Sequence, residues 1–462
     1  MYLIEDFIFP KDFKFGIADA DLQVMGEIYC LENENSEPSM WTDFAKNSGK
    51  VFNNDTPLDG TNRYNLWEKD VDLIKNLGTK NYRTSISMCR TMFRDKKPNF
   101  KAIDWYKRFF SSLQKQGIKI YATIYHWELP KYLSDNGGWT NRETIHYLVE
   151  HARIVQKYLG DYIEEYFILN EPFQSTFESY LTGAHAPGDQ SLSKAIKSVH
   201  HILLAQGLIC RILKSTQSDI KLSTAFNTGI TYAASPSELD LKAAKWAFGY
   251  FTSIFTDPTF LGSYPDFLMD YIEPHLPKIE ADDFSNIKIG HMLNSFGVNY
   301  YRARIVKYSE NSPFLFEDVK YHQGITNGLG WPVSLPPTYP EALYDLLREI
   351  YARYKNHGMK NIYITENGTC IGSRLDSAGC VNDDFRVFYL REHIKQIQKA
   401  ILAGIPINAY FLWTLLDNYE WEFGYSPESC FGIVYVDRNS FERIPKKSYN
   451  WYANLVTNRK IA

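Results

Sequence analysis

YFILNEPF, residues 166–173, is an aromatic and aliphatic run that ends in an amide, a carboxylate and a proline. Tyr166, Phe167, Ile168 and Leu169 follow one another with no polar alternation, which is how a strand covered on both faces reads in a parallel sheet. Glu171 is therefore placed where the strand emerges from its sheet. The same arrangement recurs at NIYITENG, residues 361–368, where a short β-branched strand ends in Glu366, Asn367 and Gly368. Two buried strands thus each carry a glutamate at the carboxyl end.

Outward from these two, further apolar runs mark candidate strands at 13–18, 82–87, 119–126, 220–226, 295–301 and 407–413, in addition to 164–170 and 361–366. Helical patterns separate them at 65–78, 103–117, 144–160, 192–215, 339–358 and 383–404, several ending in glycine as helices commonly do. Unbroken alternation of strand and helix implies a parallel sheet. Eight such units argue for closure into a (β/α)8 TIM barrel rather than an open sheet. The length of 462 residues would by itself suggest two or three domains, but one barrel accounts for all of residues 1–462. In such barrels the active site forms at the carboxyl ends of the strands, where both glutamates are expected.

Composition narrows the function classes. Apolar residues make up 44% and charged residues 23%, enough for a large core, and a formal net charge of −4 gives no basic footprint for nucleic acid or an anionic membrane surface. The amino-terminal MYLIEDFIFPKDFKFG has acids and lysines where a signal peptide needs an apolar core, so a soluble, cytoplasmic protein is expected. The six cysteines are scattered and read as reduced thiols. No H-x-H or H-E-x-x-H cluster lies at a strand end, so no metal and no cofactor is expected.

The other strand ends carry polar and aromatic side chains. Arg83 falls on the second strand, His126 and Trp127 at the end of the third, and Asn299 and Tyr301 on one face of the sixth. Trp413 ends the eighth, followed by Glu420 and Trp421. Taken singly, each is better explained by packing, capping or a salt bridge. Their joint occurrence at strand ends is not required by packing. Two carboxylates suit the cleavage of a glycosidic bond: one protonates the departing oxygen, and the other meets the positive charge that develops at the anomeric carbon. Arg83 and Tyr301 would keep one carboxylate ionised while the less compensated one stays protonated.

The chain also resembles glycoside hydrolase family 1, the retaining β-glycosidases of the β-glucosidase type. The resemblance runs from FPKDFKFG at residue 9 to RIPKKSYNWY at 443–452. By this resemblance NEP (170–172) supplies Glu171 as acid/base and ITENG (364–368) supplies Glu366 as nucleophile, with Arg83 and Tyr301 contacting Glu366. It further implies that Gln23, His126, Asn170, Glu420 and Trp421 bind sugar hydroxyls, that Trp413 is the stacking floor, and that Asn227 and Asn299 support them. A cis peptide at Trp413-Thr414 belongs to the same pattern. Four places depart from it: Met25 replaces an acid, Met88-Cys89 replaces Trp-Ser, Phe173 replaces Trp, and Asn62-Arg63-Tyr64 stands for Asp-His-Tyr.

The expected function is a retaining exo-β-glycosidase, foremost a β-D-glucosidase, acting on a small unphosphorylated carbohydrate or glycoside. The alternatives are a 6-phospho-β-glycosidase, disfavoured by Glu420, and a non-catalytic sugar-binding protein on the same barrel. A homo-oligomer is compatible with the sequence, which is silent on the natural leaving group.

Overall fold

The computed structural model describes residues 7–319 and 339–461; the first six residues of the amino-terminal stretch read above, and Ala462, lie outside them. Eight parallel strands, β1 Lys14–Ala18, β2 Asn81–Ser85, β3 Lys119–Tyr125, β4 Ile163–Asn170, β5 Leu222–Asn227, β6 Ser295–Asn299, β7 Ile362–Asn367 and β8 Ile407–Trp413, hydrogen-bond in sequence order. Closure is made by β1, which pairs Ala18 with Trp413 of β8 on one side and with Arg83 of β2 on the other. This is the (β/α)8 barrel expected from the alternation. All eight strands lie within two residues of the ends read from the sequence. The clearest difference is at β6, which stops at Asn299, so Tyr301 projects from the loop beyond the strand and not from the strand itself.

Two separate apolar groups explain the barrel. The larger lies between the strands and the outer helices, such as Arg63–Asn76, Phe100–Lys115, Thr144–Leu159 and Asp384–Leu402, whose apolar faces cover the strands. The smaller includes Ala18, Tyr121, Phe167, Ala225, Tyr363, Ala409, Phe411 and Trp413, strand residues that alternate with the first set and fill the interior. At Gly16 the Phe411 ring occupies the space a Cβ would need, so β1 accepts no side chain there. The helix Leu192–Thr216 is long and apolar enough to cross a membrane by composition alone, with a mean hydropathy of 1.2. However, 78% of that window is buried inside the protein, as a core helix requires.

Register sets the level of the site. Glu366 is opposite Asn299, which in turn is opposite Asn227, so three polar residues from β7, β6 and β5 meet at one height on the carboxyl rim. A three-stranded sheet, Thr231–Ala233, Arg304–Tyr308 and Phe316–Asp318, follows directly from the loops after β5 and β6.

Candidate active site

β4 delivers Asn170 and then Glu171, whose backbone N–H donates to the Ala225 carbonyl at 2.8 Å. Glu171 has a φ of +45°, and Trp127 and Trp421 have φ of +72° and +43°. Non-glycine residues hold this left-handed conformation at a cost of about 1–3 kcal/mol each, and such residues gather at functional sites. The chain leaves Glu171 through a π-helix, Gln174–Thr182, another feature concentrated at such sites.

Both oxygens of Glu366 hold a donor. Arg83 Nη1 donates to Oε1 at 2.7 Å, and the Tyr301 hydroxyl donates to Oε2 at 2.6 Å. Glu171 accepts one amide N–H, from Asn299 Nδ2 at 2.8 Å, and among the described residues it forms no ion pair. Burial raises the pKa of both carboxyls, but to different degrees. Glu171 is pushed well above the ordinary range by burial and then by the charge of Glu366, with weaker opposition from Asn299 and Arg83. For Glu366, burial is opposed by Arg83, by the Tyr301 hydrogen bond and by Asn299, so the rise is smaller. The proton shared by the pair therefore resides on Glu171, and Glu366 is the anion.

A fixed amide network holds the two acids. Asn170 Oδ1 accepts from Arg83 Nη2 at 2.5 Å and from Asn299 Nδ2 at 3.0 Å, so its Nδ2 faces His126 Nε2 at 3.1 Å. His126 Nε2 is consequently the acceptor, and the ring carries its proton on Nδ1. Burial, reinforced by the Arg83 charge, lowers the pKa of His126 well below its usual value and keeps it neutral. The Thr365 hydroxyl donates to Asn299 Oδ1 at 2.6 Å and fixes which way that amide points.

A cleft of about 970 Å³ opens above the pair, lined in part by His126, Trp127, Asn227, Trp413, Glu420 and Trp421. The His126 ring lies over Trp413 at 5.9 Å and 21°, and Trp127 packs on Trp421 at 4.5 Å. The bond from Trp413 to Thr414 is cis, as expected. Gln23 Nε2 donates to the Tyr419 carbonyl at 2.7 Å, which fixes its amide and leaves Oε1 with no partner among the described residues. Flat indole faces, neutral imidazole and buried amide and carboxyl groups together suit a ring with several hydroxyls.

The sequence-derived site residues thus come together, with four refinements. Asn170, expected as a hydroxyl ligand, is fully buried with its amide engaged by Arg83, Asn299 and His126, and so positions the site. Asn299, expected as a supporting residue, touches Glu171 directly. Trp127 donates its indole N–H to the Asn170 carbonyl at 3.1 Å and offers the cleft only its ring. Glu420 differs electrostatically from a free anion: burial, then Glu422, Glu366 and Glu171, raise its pKa well above the carboxylate range.

Eight lining residues escaped the sequence reading, among them His185, Glu422, Arg302 and Arg304. His185 and Glu422 pair at 3.0 Å, and although burial alone would raise the pKa of Glu422, the His185 charge holds it low. Arg302 and Arg304 line the same cleft. Glu422 stands two residues after Glu420, and the arginines one and three after Tyr301, so proximity to recognised positions was the available signal. Of the departures, Phe173 lines the cleft beside Glu171, whereas Met25, Met88 and Cys89 are buried core residues.

The profile of the family described as Glycosyl hydrolase family 1 matches residues 6–461. The chain is 35% identical over 452 residues to 1,4-beta-D-glucan glucohydrolase of Thermotoga neapolitana, covering 97% of this chain and 98% of that one. It is likewise 35% identical over 453 residues to a beta-glucosidase of Agrobacterium sp., covering 97% and 95%. The solved structure of beta-glucosidase from Thermotoga maritima in complex with deoxynojirimycin superimposes with a TM-score of 0.91 at 34% identity, covering 98% of this chain and 100% of that one. Barrel, rim geometry and full-length similarity agree, and the chain belongs to glycosyl hydrolase family 1.

Proposed function

We infer that this protein is a retaining exo-β-glycosidase, a β-D-glucosidase that removes terminal unphosphorylated sugars through a covalent glycosyl-enzyme. The single observation that carries the assignment of roles is the asymmetry of the two glutamates: among the described residues, Glu366 holds the Arg83 and Tyr301 donors, and Glu171 holds only an amide. A nucleophile must be ionised and an acid must carry a proton, and the environments sort the pair accordingly.

In the first step a Glu366 oxygen attacks the anomeric carbon while the bond to the leaving oxygen breaks, and Glu171 gives that oxygen its proton. In the second step Glu171, now ionised, takes a proton from water; the water oxygen bonds to the anomeric carbon, and Glu366 departs with the electron pair. Two inversions return the original configuration. Trp413 is the floor beneath the bound sugar, and Gln23, His126, Glu420 and Trp421 read its hydroxyls.

An unphosphorylated sugar is supported by the anionic Glu366 and Glu422 that line the cleft, which a phosphate dianion would meet. The reading is that of one catalytic domain working in the cytoplasm. It is tested on nitrophenyl β-glycosides with and without a 6-phosphate. The expected result is turnover of the glucoside, with weaker turnover of the galactoside or fucoside and none of the phosphorylated sugars; preference for the phosphorylated substrates, or turnover of none, contradicts it.

The pH profile should move with Tyr301. Activity requires ionised Glu366 and protonated Glu171, so it rises with pH as Glu366 loses its proton and falls as Glu171 loses its own. Tyr301→Phe removes a donor that favours ionised Glu366. The acid limb of kcat/KM is expected to shift to higher pH while the alkaline limb stays. A shift of the alkaline limb alone would reverse the assignment.

A further inference from the structure

Beyond Glu171 the cleft continues into a small open arm lined by Phe173, Asn227, Phe251, Tyr301, Arg302 and Arg304. None of the groups assigned to the sugar, His126, Trp413, Glu420 or Trp421, lines this arm. Its relation to the acid is fixed by chain and register. Phe173 is two residues past Glu171, and Asn227 lies opposite Asn299, whose amide holds Glu171. The group that receives the Glu171 proton leaves towards this side, so the arm is where the leaving group resides.

The arm is aromatic and basic. Phe173 packs against Phe251 at 5.1 Å, and the Arg304 guanidinium lies 3.9 Å over the Phe251 ring. Asp318 reaches both cations, at 2.6 Å from Arg304 Nη1 and 4.0 Å from Arg302 Nη2. Asp318 thus bridges two guanidiniums that are each less than a quarter exposed. Burial, then the neighbouring Arg304 charge, push the Arg302 pKa down to about 9, so Arg302 remains a cation at neutral pH. Among the described residues no acidic side chain lines this arm, in contrast to the five glutamates of the main cleft.

On the glycosidase reading given above, we propose that this arm selects leaving groups that combine an aromatic ring with a carboxylate. The ring is held among Phe173 and Phe251, and the carboxylate docks on Arg302 and Arg304. A planar monoanion matches the guanidinium fork. A dianion is disfavoured because the adjoining cleft is acidic.

The test compares 3-carboxyphenyl and 3-carbamoylphenyl β-D-glucosides, which are close in shape and differ in charge. The quantity read is the ratio of their kcat/KM values within one enzyme preparation, which cancels the active fraction. In the wild type the carboxylate is expected to be preferred about tenfold at low ionic strength, the scale of one charge-assisted hydrogen bond. Raising the salt concentration should shrink that ratio, and Arg302→Gln and Arg304→Gln should each lower it severalfold. Arg304→Lys should keep part of it, since the charge remains and the fork is lost. A wild-type ratio near one, or a ratio that neither added salt nor either glutamine variant changes, overturns the proposal. The salt series uses only wild-type protein, so it decides the matter even if a variant fails to fold. Turnover of both glucosides at equal rates removes the subsite alone, whereas turnover of neither removes the glycosidase reading and the subsite with it.

Discussion

Replacing Glu366 with alanine is expected to lower kcat by about 10⁵-fold or more on every β-glycoside, because the group that forms the covalent intermediate is gone. The companion variant separates the two acids. Glu171→Ala should lose about 10²- to 10⁴-fold on alkyl glycosides, whose oxygen cannot depart as an alkoxide without a proton. On dinitrophenyl glycosides, whose leaving group is already stable as an anion, formation of the glycosyl-enzyme should be nearly unaffected. Its hydrolysis should then be slow, because no base activates the water, and a pre-steady-state burst should appear. The measurement is burst amplitude and steady-state rate for both variants over a series of leaving groups. Equal losses for alkyl and dinitrophenyl substrates in Glu171→Ala would show that the roles have been exchanged.

Arg83 is expected to be nearly as sensitive, although it donates no proton and forms no bond to substrate in this scheme. Its guanidinium joins β2 to β7 and β4 through Glu366 at 2.7 Å and Asn170 at 2.5 Å, with 1% side-chain exposure. Removing one partner of a buried, hydrogen-bonded pair costs about 3–5 kcal/mol, because the remaining charge is left uncompensated. In Arg83→Met that cost falls on ionised Glu366, so its pKa rises and the nucleophile is protonated over more of the working range. A loss of about 10²- to 10³-fold in kcat/KM at neutral pH is expected, with partial recovery at higher pH. Arg83→Lys should restore part of the activity, since the charge returns without the fork that spans Glu366 and Asn170. Thermal melts of both variants show whether the barrel remains folded. A folded Arg83→Met protein with unchanged kcat/KM across pH would contradict the electrostatic account of Glu366.

Much of this was legible in the sequence because the relevant signals are local. YFILNEPF and NIYITENG each encode a buried strand and its terminal carboxylate within eight residues, and closure of the barrel followed from the repetition of that unit. Interactions between strands were harder to read. The Thr365 hydroxyl that orients Asn299, and the Asn170 amide that fixes the His126 tautomer, depend on which residues of adjacent strands share a level. That level is set by register, which no single strand states. The sequence places Tyr301 on a strand because NYY continues the apolar pattern of SFGVNYY, whereas the ladder ends at Asn299. Burial is likewise a property of the assembled rim. Glu420 reads as an anion in sequence, and burial first, then the surrounding Glu422, Glu366 and Glu171, favours its neutral form. Arg302 and Arg304 follow a recognised tyrosine but carry no pattern of their own, and only the position of the loop after β6 brings them to the cleft.

The central claim is that Glu366, and not Glu171, becomes covalently joined to the sugar. A 2-fluoro β-glucoside with a dinitrophenolate leaving group tests it most directly, because the fluorine slows both steps while the activated leaving group restores the rate of the first alone, so the intermediate accumulates. The inactivated protein is digested and the labelled residue located by mass spectrometry. The account predicts one sugar per chain, attached to Glu366 in the peptide containing ITENG; a label on Glu171, or no label while the unsubstituted glucoside is hydrolysed with inversion, would contradict it.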